Sequence, residues 1–192
     1  MRTIRCLVAL FVVSCVFVQF VDDALAEEPC VSGLQAGQRP KPYSFLVATG
    51  PERGQSTCYV CETADRPAVI VFARSLGDPL GKLVGKIDKA LADHKKEELR
   101  AWVTFLSDDQ PKLDPKVVKW GKKHAIRSVP LGVFEEAAGP PAYRLSRDAD
   151  VTVLLFVKRK IVANFAFRPG ELTDDRAAEV LKALPRIVGE KK

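Results

Sequence analysis

The chain lacks most of the motifs that would announce an activity. It has no glycine-rich phosphate loop, no Ser-His-Asp arrangement, no basic stripe interleaved with aromatics, no internal repeat and no low-complexity tract. Only two histidines occur among 192 residues. His94 and His124 each close a helix-like segment, where a cation is favourable, so capping accounts for them better than catalysis or metal ligation. The 30 Lys and Arg outnumber the 24 Asp and Glu, for a formal net charge of +6. They are scattered among acids, with short runs at Lys158-Arg159-Lys160 and Lys191-Lys192. That pattern describes a solvated surface and gives no reason to expect a nucleic-acid partner. No cofactor motif is present, and beyond the N-terminus no apolar run exceeds strand length.

What is present begins at that N-terminus. Arg2 and Arg5 precede an apolar stretch of about 15 residues, short of the roughly 20 that span a bilayer. Ala24-Leu25-Ala26 then offers the small residues that a signal peptidase takes. Residues 1–26 therefore read as a signal peptide, and the product is expected to be exported to a periplasm or secreted, with no membrane span of its own. One alternative is a lipoprotein anchored at Cys15, because Val12-Val13-Ser14-Cys15 loosely resembles a lipobox. Cleavage after Ala26 discards Cys6 and Cys15 and leaves Cys30, Cys58 and Cys61 to an oxidising compartment.

Those thiols carry the chemistry. Cys58-Tyr59-Val60-Cys61 lies just ahead of the apolar run Ala68-Val69-Ile70-Val71-Phe72, so a dithiol pair is delivered to the edge of a buried strand. Two thiols separated by two residues can close a small disulfide ring or share a soft metal. Three uses stay open: a catalytic pair, Cys58 and Cys61, exchanging with the thiols or disulfides of a partner protein; a structural staple; and a copper or zinc site built from Cys30, Cys58 and Cys61. Cys30, the odd thiol, is either a resolving cysteine for that pair or a bystander in an unstructured leader.

Along the chain, residues 27–42 read as an extended leader and 43–190 as a single domain. Strands are expected over 43–49, 69–73, 102–106 and 129–134, with a hairpin from 151–157 to 161–167 across Lys158-Arg159-Lys160. Asp78-Pro79 and Asp114-Pro115 each look like a helix cap followed by proline in the first turn. Leu80, Leu83, Val84, Ile87 and Leu91 recur at helical spacing up to about His94, and Thr173 caps a closing helix that Pro185 bends or shortens. Trp102, Trp120, Phe165 and Phe167 read as packing. The alternation predicts an α/β fold with a mixed sheet between helices.

From about Gly33 to Val188 the chain resembles the thioredoxin-like superfamily, in its redoxin and peroxiredoxin branch. The carriers are Gly33-Leu34-Gln35-Ala36-Gly37-Gln38-Arg39-Pro40, the strand and helix over 67–94, and Tyr143-Arg144-Leu145 followed by Val151-Thr152-Val153-Leu154-Leu155-Phe156. The resemblance implies a three-layer α/β/α domain and thiol-disulfide chemistry.

The chain departs from that family where it matters most. In thioredoxins the dithiol follows the central strand and caps the next helix, but here that segment reads Arg74-Ser75-Leu76-Gly77-Asp78-Pro79-Leu80 and contains no cysteine. The peroxidatic cysteine motif is missing from the same place, and the cis-proline position resembles Val151-Thr152 or, in another register, Val129-Pro130. Cys58 and Cys61 are therefore expected at the opposite end of the central strand, roughly 17 Å from the family's usual site. No helix start is expected near them, which leaves Arg53 or Arg66 to activate a thiolate. Ser75 and Arg74 at the vacant site offer an anion pocket or simply a capped turn.

Overall fold

The structure, a computed structural model, describes residues 28–189. The expected signal peptide, with Cys6, Cys15 and the cleavage site at Ala26, lies outside the described residues. Seven strands form one sheet: β1 Phe45–Val47, β2 Ser56–Thr57, β3 Ala68–Ala73, β4 Arg100–Leu106, β5 Leu131–Phe134, β6 Val151–Val157 and β7 Lys160–Phe167, in the order β2-β1-β5-β4-β3-β6-β7. The helices are α1 Tyr59–Thr63, α2 Asp78–Asp93, α3 Gln110–Lys123, α4 Asp174–Lys182 and α5 Pro185–Val188. Strands β3, β4 and β5 are parallel and joined through α2 and α3, while β6, β7, β1 and β2 are added antiparallel. The mixed α/β sheet expected from the alternation is what forms.

Side chains alternate across β3, so the central strand is buried on both faces. Val69, Val71 and Ala73 meet Leu83, Val84 and Ile87 of α2, Val117 of α3, Val180 of α4 and Ile187 of α5. Ala68, Ile70 and Phe72 face the other way, toward Leu34, Tyr43, Tyr59 and Tyr143. The three layers are therefore unequal. One outer layer holds the longer helices; the other is made of α1, the lead-in and a 3-10 turn at Pro141–Tyr143.

That second layer is aromatic and hydrogen-bonded. Trp102 Nε1 donates to Tyr43 Oη at 2.8 Å, Tyr43 Oη lies 2.9 Å from Thr104 Oγ1, and Tyr143 Oη donates to the Lys41 carbonyl at 2.8 Å. Burial pushes the hydroxyls of Tyr43, Tyr59 and Tyr143 well above the ordinary tyrosine value; proximity of Glu52 adds to the rise at Tyr59. A raised folded-state value means stability is complete below the unfolded pKa and is lost as pH climbs toward the folded one. The denaturant midpoint is therefore expected to hold steady up to about pH 10 and to fall above it, as tyrosines ionise in the unfolded chain. A midpoint unchanged across that boundary would contradict the assignment.

Several local expectations shift. Asp78 is not the cap of α2: Gly77 occupies that position with no side-chain bond, and Asp78 and Pro79 fill the first turn. Helix α3 starts ahead of Asp114, with Asp109 as cap accepting from the Lys112 amide at 3.3 Å and Pro111 in the first turn, so Pro115 falls inside the helix. Thr173 does cap α4, through the Arg176 amide, and Pro185 opens the separate short helix α5. The stretch before Cys58 contains a strand, β2, where only a loop was expected, and β1 and β5 are shorter than their apolar runs.

The leader is docked. Ser32, Gly33 and Leu34 are buried, Asn164 Nδ2 donates to the carbonyls of Ser32 and Leu34, and Ser32 Oγ lies 2.7 Å from Thr152 Oγ1. The Gly37 amide donates to the Ile161 carbonyl, and the Ile161 amide to that of Gln38. At Gly33, φ is +79° and an added Cβ would sit 2.9 Å from Thr152 Cγ2, so glycine is required both by the backbone and by the close approach.

Candidate functional site

Cys58 and Cys61 are joined, with an S–S distance of 2.13 Å and Cα atoms 5.4 Å apart. They bracket the first turn of α1, a five-residue helix too short to persist without tertiary support. The support is Tyr59, between the two cysteines. Its ring is buried 5.7 Å from both Trp102 and Phe45, and its hydroxyl donates to Glu52 Oε2 at 2.6 Å. At the far end Thr63 Oγ1 donates to the Tyr59 carbonyl, and Arg66 donates to the carbonyls of Thr63 and Glu62. The carbonyls toward the C-terminal end of α1 are thus satisfied.

The absence of a helix start near the thiols does not hold. Cys58 is the N-cap of α1, and its sulfur accepts from the Cys61 amide at 3.3 Å. The two arginines considered as activators are engaged elsewhere: Arg53 with Asp114 Oδ2 at 2.9 Å and the Ala48 carbonyl, Arg66 with the end of α1 and with Glu98 at 3.5 Å. The polar group against Cys58 Sγ is a backbone N–H, not a guanidinium.

The dithiol stands at the start of β3, the opposite end from the one where the resemblance to thioredoxins would place it. Glu62 of α1 pairs at 3.5 Å with Arg100, which is in register with Ala68 at the start of β3. At the other end of β3 the position without cysteine is filled by a closed polar network. Arg74 donates to the carbonyls of Ala149, Ser146 and Ala137, and Ser75 Oγ donates to Asp150 Oδ2 at 2.7 Å. Arg74 and Ser75 are therefore committed to the protein and do not form an anion pocket. Lys123, 2.5 Å from Asp78 Oδ1, holds that carboxyl below the usual range, and His124 Nε2 lies 3.3 Å from the same oxygen. His124 is the C-cap of α3 and packs on Trp120, a structural post. His94 likewise caps α2. Val151 begins β6 and Pro130 precedes β5, with no cis peptide bond among the described residues.

Cys30 is a free thiol beside Phe165, Ala166 and Arg168, near the end of β7. Cys61 lies beside Phe156, which is in register with Ile161 at the start of β7. From Ile161 to Ala166 the strand rises about 17 Å, so the structure does not bring Cys30 to the Cys58–Cys61 pair, either as a resolving thiol or as a third metal ligand. Among the described residues no cluster of three or more His, Cys, Asp or Glu could hold a metal ion. Burial pushes the Cys30 thiol up, against the opposing influence of Arg168.

Beside Cys61 runs an open groove of about 310 Å³, bordered by Arg39, Lys41, Val60, Phe156 and Arg159. The composition of the dithiol was legible in the sequence; this groove was not, because its walls come from segments some hundred residues apart and no local pattern joins them. Among the described residues no helix is long and apolar enough to cross a membrane.

No family model matches the chain, and no curated protein matches it. Solved structures do. A Bacteroides thetaiotaomicron chain assigned as a protein disulfide isomerase superposes with a TM-score of 0.63 at 16% identity, over 83% of this chain and 94% of that one. A Chlorobium tepidum chain assigned as the thiol:disulfide interchange protein DsbE gives 0.56 at 14% identity, over 79% and 99%. The peroxidoxin BcpB of Mycobacterium tuberculosis gives 0.55 at 18% identity, over 80% and 98%. This chain has the thioredoxin-like fold that those thiol-disulfide proteins and peroxiredoxins share, with a Cys58–Cys61 disulfide carried on it.

Proposed function

We propose that the chain is an exported thiol-disulfide oxidoreductase whose redox pair is Cys58 and Cys61, acting on the thiols or disulfides of partner proteins. The observation that carries the reading is that Cys61 is exposed and borders an open groove while being bonded to Cys58. A partner sulfur has a path to it. Magnitudes support exchange over stapling: closing so small a ring lowers the unfolded chain's entropy by only about 2 kcal/mol, and Tyr59 already ties α1 to the sheet. The site's scaffold is therefore expected to persist in both redox states, as a cycling pair requires. Export rests on Arg2, Arg5 and Ala24-Leu25-Ala26, and it matches the need of such a pair for a compartment in which disulfides persist.

A glutathione or dithiol redox titration of the wild type tests the reading. The expected midpoint lies in the range of disulfide-exchange proteins, about −120 to −270 mV. A midpoint below about −300 mV would identify a staple and end the oxidoreductase assignment.

A further inference from the structure

In the family that this chain resembles, the dithiol follows the central strand and caps a long helix; here it precedes that strand, so which sulfur meets the partner has to be settled from this geometry. Cys61 is exposed and borders the groove, whereas Cys58 is half-buried and does not. Cys58 Sγ already accepts the Cys61 amide at 3.3 Å, which favours it as the sulfur that leaves carrying charge.

The groove has a sign. Arg39, Lys41 and Arg159 border it and no carboxylate does. Arg159 is paired with Asp65 at 3.1 Å, but among the described residues neither the Arg39 nor the Lys41 side chain has an ion-pair or hydrogen-bond partner. Both are exposed. They stand on Arg39-Pro40-Lys41-Pro42, where the prolines hold the backbone extended, and that wall is fixed at both ends: the Gln38 carbonyl accepts from Ile161 at 2.9 Å and the Lys41 carbonyl from Tyr143 Oη at 2.8 Å. Unneutralised cations on a fixed wall, over an apolar floor of Val60 and Phe156, fit an extended polypeptide carrying acidic residues beside its cysteine.

We propose that Cys61 is the sulfur that exchanges with the partner, and that the Arg39-Lys41 groove selects a partner polypeptide whose reactive cysteine is flanked by acidic residues. A partner thiolate attacks Cys61 Sγ; the Cys58–Cys61 bond breaks, and its electron pair passes to Cys58 Sγ. The partner's second thiolate then attacks its own sulfur in the mixed disulfide and releases Cys61 as a thiolate. The partner dithiol is oxidised by two electrons, the protein disulfide gains both, and the two thiol protons pass to the new thiolates or to water.

The test uses Cys58→Ser and Cys61→Ser proteins, with the rate of the double variant subtracted to remove the other cysteines. The probes are two synthetic peptides, each carrying one cysteine as a thionitrobenzoate disulfide, flanked by glutamates in one and by lysines in the other. Cys58→Ser, which retains Cys61, is expected to release thionitrobenzoate about tenfold faster than Cys61→Ser, and to prefer the acidic peptide about tenfold at low salt. Arg39→Glu with Lys41→Glu is expected to abolish that preference. A faster Cys58, or a peptide preference unchanged by the charge reversal, overturns the proposal. It rests on the redox reading, yet the two fail separately: a strongly reducing wild-type potential removes that reading, whereas thiol order and charge preference are measured on proteins that hold no Cys58–Cys61 disulfide.

Discussion

Cys61→Ser and Cys58→Ser are each expected to reduce the catalysed reduction of insulin disulfides to the uncatalysed dithiol background, while Ser75→Ala and Asp78→Ala are expected to leave the rate of the wild type in place. The loss is complete because turnover needs both sulfurs: one thiol forms a mixed disulfide but has no neighbour to release it, and Cys30 stands at the far end of β7. The second pair of variants probes the end of β3 where relatives of this fold would be searched for chemistry. Ser75 there donates only to Asp150, and Asp78 sits in the first turn of α2 against Lys123. Since Gly77 is the cap, Asp78→Ala removes an exposed ion pair and no capping bond. A Cys58→Ser protein that keeps full activity would move the chemistry away from α1 altogether.

Tyr59→Ala is expected to cost about 3–5 kcal/mol, measured from the urea midpoint and slope, and to take the exchange activity with it. The ring is 8% exposed and fills the space between Phe45 and Trp102. Removing it leaves a cavity in the thinner outer layer and frees a helix that cannot stand alone. Tyr59→Phe separates the two contributions: it keeps the packing, loses only the bond to Glu52, and is expected to cost about 1 kcal/mol. If Tyr59→Ala unfolds at the wild-type midpoint, α1 is held by its disulfide and the case against a staple collapses.

The parts of this fold that could be read from sequence are those whose physics is local. The uninterrupted apolar run of β3, the helical spacing of α2 and the Lys158-Arg159 turn between β6 and β7 all rest on neighbours along the chain. The helix starts were misplaced because Asp-Pro is ambiguous: aspartate is favourable both as cap and in the first turn, and proline fits any position that lacks an amide acceptor. At α3 the competing Asp109-Gln110-Pro111 took that role. Helix α1 has no periodicity to read; it exists because one tyrosine is buried, and Ala64, with φ of +53°, ends it without a glycine to mark the turn. The docked leader was hidden for the same reason, since its partners Thr152 and Asn164 are more than a hundred residues away.

That separation governs the order of assembly. Leu34 lies in the core with Leu154 and Ile161, and Ile161 and Asn164 join Arg144 and Tyr143 in bonding the leader's backbone. The first segment of the domain to be synthesised thus waits for almost the last. A chain cut short before β6 lacks Leu154 and Ile161, which complete the cover over Leu34, and contacts of such span make loop closure the slow step. Stable structure is expected to arrive in one late event once β7 is available, so that intermediates trapped by stalled synthesis remain protease-sensitive along the whole domain.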